Sequence, residues 1–186
     1  MRIAVLASGS GTILQAMIEA SIPIQLVVTD RQCTAETIAT HNNITLKRIE
    51  RNSYGKDFDR DTYTCEVRDA LIDHEIDLIA MAGFGTILNK PIYDDFSNRI
   101  LNTHPSLLPS FPGWHAVEEA LEYGVKVTGC TVHIATEEVD AGPILAQESI
   151  PVLKDDTKET LHERIKTVER QLYVDTINKI ITTNGQ

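Results

Sequence analysis

The stretch that decides the fold is Ile3-Ala4-Val5-Leu6-Ala7, which runs directly into Ser8-Gly9-Ser10-Gly11-Thr12-Ile13. Consecutive apolar residues, rather than an alternating pattern, are typical of a parallel strand that is covered on both faces. The glycines that follow permit a sharp turn into a helix. A secretory signal would need a leading charge cluster and a small-residue cleavage site, and we find neither, so we interpret the run as the first core strand.

Similar apolar runs recur along the first hundred residues, with helical segments between them. One such segment carries apolar or aromatic residues on a single helix face, at Tyr63, Val67, Leu71 and His74. Strands that alternate with helices indicate a Rossmann-like α/β fold, with a mostly parallel twisted sheet and helices on both faces. The predicted strands after the first are Ile24–Val28, Leu46–Ile49, Leu78–Ala82 and Ile100–Thr103.

The pattern changes in the last third of the chain. Two strand-like runs, Val127–Ile134 and Ile144–Val152, are joined by an irregular acidic segment, which favours an antiparallel hairpin over another helical crossover. A final helix is predicted from about Thr157 to about Thr182, because its apolar residues recur every three or four positions. These residues are Leu161, Ile165, Val168 and Leu172. We expect one domain over residues 1–186, with halves of about 1–100 and 101–186.

Composition restricts the classes of function. The formal net charge is −10 and no basic run is present, which argues against a nucleic-acid partner. No apolar run reaches the roughly 20 residues of a membrane helix, so no membrane partner is expected. Three cysteines, Cys33, Cys65 and Cys130, are odd in number and lie far apart. That spacing favours a reduced, cytoplasmic protein without structural zinc, and Cys130 is interpreted as a small core residue.

The loop Ser8–Ile13 is a candidate seat for a phosphate group. Glycines give a ligand access to the backbone N–H groups, and the start of the helix favours an anion. The alternative is a tight turn with Ser10 or Thr12 as the helix cap. A dinucleotide-binding site, with Asp30 on a ribose, is disfavoured because Leu14 stands where that fingerprint has its third glycine.

A second group of polar residues follows the fifth strand. Asn102 and His104 lie two apart on an extended chain, so both side chains are expected on the same face. An amide and an imidazole at one point can stabilise an oxyanion. Asp140, before Ala-Gly-Pro, is a carboxylate that would favour the imidazolium form of His104. We expect three loops, Ser8–Ile13, Gly83–Thr86 and Asn102–Gly113, to meet beyond the carboxyl ends of the strands.

Six short motifs are spread over nearly the whole length of the chain. They are Ser8-Gly9-x-Gly11, Ala82-Gly83-Phe84, Asn102-x-His104-Pro105-Ser106-Leu107-Leu108-Pro109, Phe111-Pro112-Gly113, Thr128-Gly129-Cys130-Thr131-Val132-His133 and Val139-Asp140-x-Gly142-Pro143. In these motifs and in their order, the chain resembles the glycinamide ribonucleotide formyltransferases. The Phe-Pro-Gly motif is closer to this family than to the methionyl-tRNA formyltransferases.

The resemblance implies an enzyme and a set of site residues. The reaction would transfer the formyl group of 10-formyltetrahydrofolate, a co-substrate, to the amine of N1-(5-phosphoribosyl)glycinamide in de novo purine biosynthesis. The matched catalytic residues are Asn102, His104 and Asp140. The matched substrate contacts are Gly11, Thr12, Ile13, Lys166, Thr167, Val168 and Glu169, with Glu169 on the ribose hydroxyls. The matched folate contacts are Arg60, Gly85, Thr86, Ile87, Leu88, Asn102, Thr136, Glu137, Glu138, Val139 and Asp140.

Two positions depart from the family pattern. An asparagine is common where Ile13 stands and an arginine is common where Thr86 stands. We therefore expect Ile13 to act through its main chain, and an asparagine there to be tolerated. His133, on the strand Val127–Ile134, either supports the site from a second layer or fills the core. No pair of side chains has a metal-ligand spacing, so no metal is expected.

Two other functions are kept as alternatives. A formyltetrahydrofolate hydrolase would use the same three residues with water in place of the amine. Such hydrolases usually carry a further amino-terminal domain, which we do not expect because the first strand begins at once. A nucleotide-binding module without catalysis is the second alternative, and Asn102, His104 and Asp140 together argue against it. The expected partners are the two small-molecule substrates, and a homodimer is compatible with the sequence.

Overall fold

The computed structural model describes residues 1–184. The strands are β1 (Ile3–Ala7), β2 (Ile24–Thr29), β3 (Thr45–Arg48), β4 (Leu78–Met81), β5 (Ile100–His104), β6 (Val127–Ile134) and β7 (Ile144–Pro151). The helices are α1 (Thr12–Glu19), α2 (Thr34–His41), α3 (Arg60–Asp73), α4 (Lys90–Asp95), α5 (Ala116–Tyr123) and α6 (Lys158–Asn184). Strands and helices alternate as far as β6, as the sequence predicts.

The strands form one seven-stranded sheet in the order β3-β2-β1-β4-β5-β6-β7. The pairs β2–β3, β1–β2, β1–β4 and β4–β5 are parallel, whereas β6 and β7 are antiparallel. The predicted α/β fold, with a mostly parallel sheet and a late hairpin, is confirmed. Every residue of β1 is buried, as expected of a parallel strand in a sheet that is covered on both faces.

Contacts divide the chain into two compact units, one from Met1 to Leu101 and one that begins at Asn102. In the amino-terminal unit, α3 begins after Asp59, whose carboxylate accepts a hydrogen bond from the Thr62 N–H at 3.0 Å. Tyr63, Val67 and Leu71 on this helix are buried, which confirms three of the four residues of the predicted apolar face. The fourth, His74, is the C-cap residue and is half-buried.

In the carboxyl-terminal unit, α6 packs on the hairpin of β6 and β7. Its predicted apolar stripe is confirmed, since Leu161 and Ile165 are fully buried and Val168 and Leu172 pack beside them. Cys130 lies in the same cluster, and burial raises the pKa of its thiol to about 12. Its interpretation as a core residue is therefore confirmed. Within residues 1–184, no helix is both long enough and apolar enough to cross a membrane.

Candidate active site

Gly11 stands at the start of α1 in the amino-terminal unit. Its φ of +70° lies in the left-handed region that favours glycine. A Cβ atom at this position would lie 2.9 Å from the Ala35 Cα and 2.8 Å from the Ile38 Cδ1. Both the backbone conformation and the close approach of α2 therefore require glycine here.

The first turn of α1 has N–H groups without a capping side chain. Gly11 is the N-cap residue, and no side chain of the described residues caps the helix there. The alternative interpretation, in which Ser10 or Thr12 caps the helix, is therefore wrong. Ile13 is only 7 % exposed, so its side chain belongs to the core and its N–H is the group that a ligand could use. This arrangement is compatible with a phosphate seat built from main-chain donors.

The loop Ser8–Ile13 is called the glycine loop below. The segment Gly83–Leu88 lies beside it in the same unit. The Ser8 N–H donates to the Gly83 carbonyl at 3.1 Å, and the Gly85 N–H donates to the Ser8 hydroxyl at 2.5 Å. The side chains of Thr86 and Leu88 are buried. A folate contact from these two residues would thus have to come from the main chain.

The buried side chain of Thr86 is hydrogen-bonded to Asp30. The Thr86 hydroxyl donates to the Asp30 carboxylate at 2.8 Å, and Arg31 donates to the same carboxylate at 2.9 and 3.1 Å. Burial alone would raise the pKa of Asp30, but the hydrogen bonds from Arg31, Ser8 and Thr86 outweigh it and lower the pKa. Asp30 is fully buried and is bonded to protein donors, which makes it a structural residue rather than a ribose ligand.

Asn102 and His104 come from β5, in the carboxyl-terminal unit. The His104 Nδ1 atom lies 3.3 Å from the Asp140 Oδ2 atom, and its Nε2 atom lies 2.7 Å from the Phe111 carbonyl oxygen. Both ring nitrogens therefore face acceptor oxygens, and the doubly protonated ring can donate to both. The predicted proximity of His104 and Asp140 is present in the structure.

Asp140 follows the acidic segment 136–139 and is held by the loop that precedes α5. Its φ is +57°, and its carboxylate accepts a hydrogen bond from the Gly113 N–H at 2.8 Å. Burial would raise the pKa of Asp140, but the hydrogen bonds from His133 and Gly113 and the charge of His104 outweigh it and lower the pKa. A carboxylate that stays ionised beside His104 is suited to stabilise the imidazolium form of that ring.

His133 contacts two of the three predicted catalytic residues. Its Nε2 atom lies 3.3 Å from the Asn102 Nδ2 atom and 3.6 Å from the Asp140 Oδ1 atom. Its Nδ1 atom lies 3.0 Å from the Ile134 carbonyl oxygen. His133 thus lies between the amide and the carboxylate, as a supporting residue would, although its role stays a prediction.

The position of Asp140 also depends on Gly142. A Cβ atom there would lie 1.8 Å from the Ile134 carbonyl oxygen, so any other residue would force the two chain segments apart. In the acidic segment, the Thr136 hydroxyl donates to the Glu138 carbonyl at 2.9 Å. Glu137, Glu138 and Val139 are exposed and remain candidate folate contacts.

The predicted substrate residues of α6 differ in what their side chains contact. Val168 packs on the apolar cluster of the helix and is therefore unsuited to bind a polar ligand. The Lys166 ammonium pairs with Glu163 at 2.8 Å, and the Thr167 hydroxyl donates to the Glu163 carbonyl at 3.0 Å. Glu169 is 9 % exposed, and its carboxylate accepts a hydrogen bond from Thr103 at 2.9 Å.

Four groups around the site were not anticipated from the sequence. The Phe111 carbonyl and the Gly113 N–H are main-chain groups, whose direction no residue type reveals. The Thr103 hydroxyl and Arg31 are side chains of a kind that usually faces solvent. For Thr103, the alternation of β5 was a usable signal, because it places this residue on the face opposite Asn102 and His104.

Arg60, at the start of α3, has a buried Nε atom without a hydrogen-bond partner in the described chain. Among residues 1–184, no group of three or more His, Cys, Asp or Glu side chains is arranged to hold a metal ion. The groups that the described site brings together are the His104 imidazole, the Asp140 carboxylate and the Asn102 amide, with His133 between the last two.

Comparisons with known proteins agree with this geometry. Residues 1–177 match the Formyl transferase family. The chain is 43 % identical to the phosphoribosylglycinamide formyltransferase of Mycobacterium tuberculosis, over 97 % of this chain and 85 % of that protein.

Solved structures give the same result. Glycinamide ribonucleotide transformylase 1 from Symbiobacterium toebii superposes with a TM-score of 0.88 at 40 % identity, over 95 % of this chain and 85 % of that one. A formyltetrahydrofolate deformylase from Pseudomonas syringae gives a TM-score of 0.86 at 25 % identity, over 95 % of this chain and 59 % of that one. The chain therefore belongs to the formyl transferase family, and within it to the phosphoribosylglycinamide formyltransferases.

Proposed function

We propose that this chain transfers the formyl group of 10-formyltetrahydrofolate to the primary amine of glycinamide ribonucleotide, in de novo purine biosynthesis. The observation that carries the proposal is the cluster of Asn102, His104 and Asp140 in a chain 43 % identical to such an enzyme. The site of this protein is proposed to use side chains only, without a metal. The cytoplasm is the proposed compartment. The three cysteines of the protein are not disulfide-bonded, which is compatible with a reducing environment.

In the proposed reaction, the neutral amine attacks the formyl carbon and forms a tetrahedral intermediate. His104, as an imidazolium, exchanges one of its protein acceptors for the oxyanion and donates a hydrogen bond to it. The Asn102 amide donates a second hydrogen bond. Asp140 accepts the proton of the attacking amine, directly or through a water molecule. The tetrahedral intermediate then collapses: the bond between the formyl carbon and the folate nitrogen breaks, and the folate nitrogen takes the proton that Asp140 had accepted. No covalent intermediate with the enzyme forms.

Binding of the two substrates is proposed to follow the family pattern. Main-chain N–H groups of Gly11, Thr12 and Ile13 would bind the phosphate of the ribonucleotide. Lys166, Thr167 and Glu169 would contact the rest of the nucleotide, with Glu169 on the ribose hydroxyls. Folate would be bound by side chains or main chain of Arg60, Gly85–Leu88, Asn102 and Thr136–Asp140.

A spectrophotometric assay for the folate product tests the proposal. Product should form with glycinamide ribonucleotide present and should form far more slowly without it. A His104→Ala variant is the control for contaminating enzyme, because it lacks the proposed acid. Equal rates with and without the ribonucleotide would contradict the proposal.

The second candidate is formyltetrahydrofolate hydrolysis, in which water replaces the amine. The similarity to the Pseudomonas syringae deformylase favours keeping it, although the identity there is 25 % against 43 % for the formyltransferase. The same assay separates the two functions, because a hydrolase releases formate and does not need the ribonucleotide.

A further inference from the structure

Strand β5 contributes side chains to both faces of the sheet. Asn102 and His104 lie on one face, and Thr103, between them, lies on the other. The Thr103 hydroxyl donates a hydrogen bond to the Glu169 Oε1 atom on α6, at 2.9 Å. A single strand therefore carries the proposed catalytic groups and also contacts a proposed substrate residue.

Glu169 is a carboxylate in an unusual environment. It is 9 % exposed, and burial raises its pKa, although the Thr103 hydrogen bond and the charges of Lys166 and Arg170 oppose that rise. The buried Cys130 thiol on β6 is the other titratable group that faces it. A buried carboxylate is stable only when donors satisfy its oxygens, so its few donors matter.

The two nearby cations are bonded elsewhere. Lys166 pairs with Glu163 at 2.8 Å, and an Arg170 N–H donates to the Thr167 hydroxyl at 3.3 Å. Within the described part of the chain, Thr103 is the residue that we find hydrogen-bonded to the Glu169 carboxylate. The bond occupies Oε1 and leaves Oε2 as an acceptor.

We infer that Thr103 is a positioning residue, which fixes one oxygen of Glu169 so that the other accepts hydrogen bonds from the ribose hydroxyls of the substrate. The inference rests on the proposed function, in which Glu169 contacts the ribose. Thr103 itself does not touch the substrate. An aliphatic residue of the same shape would fill the same space but would leave the buried carboxylate without its bonded donor.

The inference predicts a selective effect of Thr103→Val, which keeps the shape and removes the hydroxyl. The KM for glycinamide ribonucleotide should rise about tenfold, the equivalent of one hydrogen bond to a charged group. The KM for the folate should stay within about twofold, and kcat should change less than the ribonucleotide KM. Thr103→Ser retains the donor and should restore the wild-type KM.

The pH dependence of the KM for glycinamide ribonucleotide is a measurement that a general loosening of the fold would not change. The Thr103 hydroxyl favours the charged form of Glu169, so its removal raises the pKa of that carboxyl further. The protonated carboxyl is a poorer acceptor, and the KM ratio of Thr103→Val to wild type should therefore widen as pH falls. A loss of kcat at unchanged KM, or an equal loss in Thr103→Ser, would overturn the inference.

Nuclear magnetic resonance of the protein with ¹³C-labelled glutamate tests the positioning without any turnover. A Glu169→Gln variant assigns the Glu169 carboxyl signal, and its titration midpoint should be higher in Thr103→Val than in wild type or Thr103→Ser. An unchanged midpoint would refute the role of Thr103. If the midpoint moves but wild type does not formylate the ribonucleotide, the proposed function fails while the positioning contact stands.

Discussion

The two units of the molecule offer the proposed substrates different kinds of groups. In the amino-terminal unit, the glycine loop offers main-chain N–H groups, and the nearby polar side chains of Asp30 and Thr86 are bonded to each other. In the carboxyl-terminal unit, the proposed catalytic groups include the side chains of His104 and Asp140, which are hydrogen-bonded to main-chain groups.

This difference predicts two kinds of sensitivity. A main-chain site fails when the backbone is forced into another conformation, so shape and φ decide which substitutions are tolerated. A side-chain site fails when a proton or a charge is removed, even if the shape is unchanged. The experiments below test this contrast, from the largest expected effect to the smallest.

The largest effect is expected for Asp140→Asn, which keeps the shape and removes the charge. Turnover should fall by roughly a hundredfold or more, as is typical of a positioned acid–base partner, whereas both KM values should change much less. Steady-state kinetics measure this. Asp155→Asn makes the same change at an exposed carboxylate of the same unit, outside the proposed site, and is the matched control. Turnover within about twofold of wild type would remove Asp140 from the mechanism.

Gly11→Val should damage the amino-terminal unit through shape alone. A residue with a Cβ in the left-handed region costs roughly 1–2 kcal/mol, and the contacts with Ala35 and Ile38 add to this. The free energy of unfolding in urea should fall, and the KM for the ribonucleotide should rise about tenfold or more. Gly9→Ala is the control, because the space around Gly9 is open.

A rise in the folate KM alone for Gly11→Val would mean that the two substrates have been assigned to the wrong units. A normal ribonucleotide KM in a folded Gly11→Val protein would show that the phosphate does not bind at this loop.

Ile13→Asn tests the core rather than the ligand. The sequence alone suggests that an asparagine is tolerated here, but the side chain is 7 % exposed, and the structure changes that expectation. A buried amide without a partner costs roughly 1–3 kcal/mol, so the free energy of unfolding should fall by that amount. Ile13→Val, at about 1 kcal/mol, is the control for lost volume alone. Equal stability of Ile13→Asn and wild type would place the side chain at the surface.

The stability of the amino-terminal unit should depend on Asp30 in a pH-dependent way. Its pKa in the folded protein lies below the ordinary value of 3.8. The ionised carboxylate therefore stabilises the fold above that ordinary value, and the contribution is lost as pH falls through the folded pKa. Asp30→Asn should be less stable than wild type near neutral pH, and the two unfolding free energies should converge in strong acid. Asp73→Asn, which removes an exposed carboxylate, is the control. If the difference in unfolding free energy between Asp30→Asn and wild type widened in acid, the predicted direction of the pH effect would be wrong.

No effect is expected from a strong chelator. Both units are proposed to act without a metal, so the rate of formyl transfer should be the same with and without the chelator. Activity that is lost and then restored by zinc or magnesium would replace the metal-free mechanism by one that depends on a Lewis acid.

The sequence predicted most of the fold and the pairing of His104 with Asp140. Parallel strands such as β1 and β4 are recognisable because burial on both faces leaves an unbroken apolar run. Strand ends were shifted by one residue at β2, β3, β4, β5 and β7, since the pattern does not mark where pairing stops. The burial of Ile13 was missed because the helix phase, rather than residue type, decides which side faces the core.

Details of the site were less predictable. The Gly113 N–H contacts Asp140 and the Phe111 carbonyl contacts His104 through the main chain, and any residue other than proline carries both kinds of group. Their direction depends on backbone angles, as with the φ of +54° at Phe111. Pairs such as Thr103 and Glu169 depend on how α6 packs on the sheet, which no local pattern contains.

The loop that supplies the Phe111 carbonyl and the Gly113 N–H also carries an optical probe. Trp114, the next residue, is the single tryptophan of the chain, and its side chain is 69 % exposed. A movement of this loop upon ligand binding changes the water around the indole and therefore shifts its emission. Because no other tryptophan contributes, the fluorescence of the unlabelled protein reports directly on the segment that contacts His104 and Asp140.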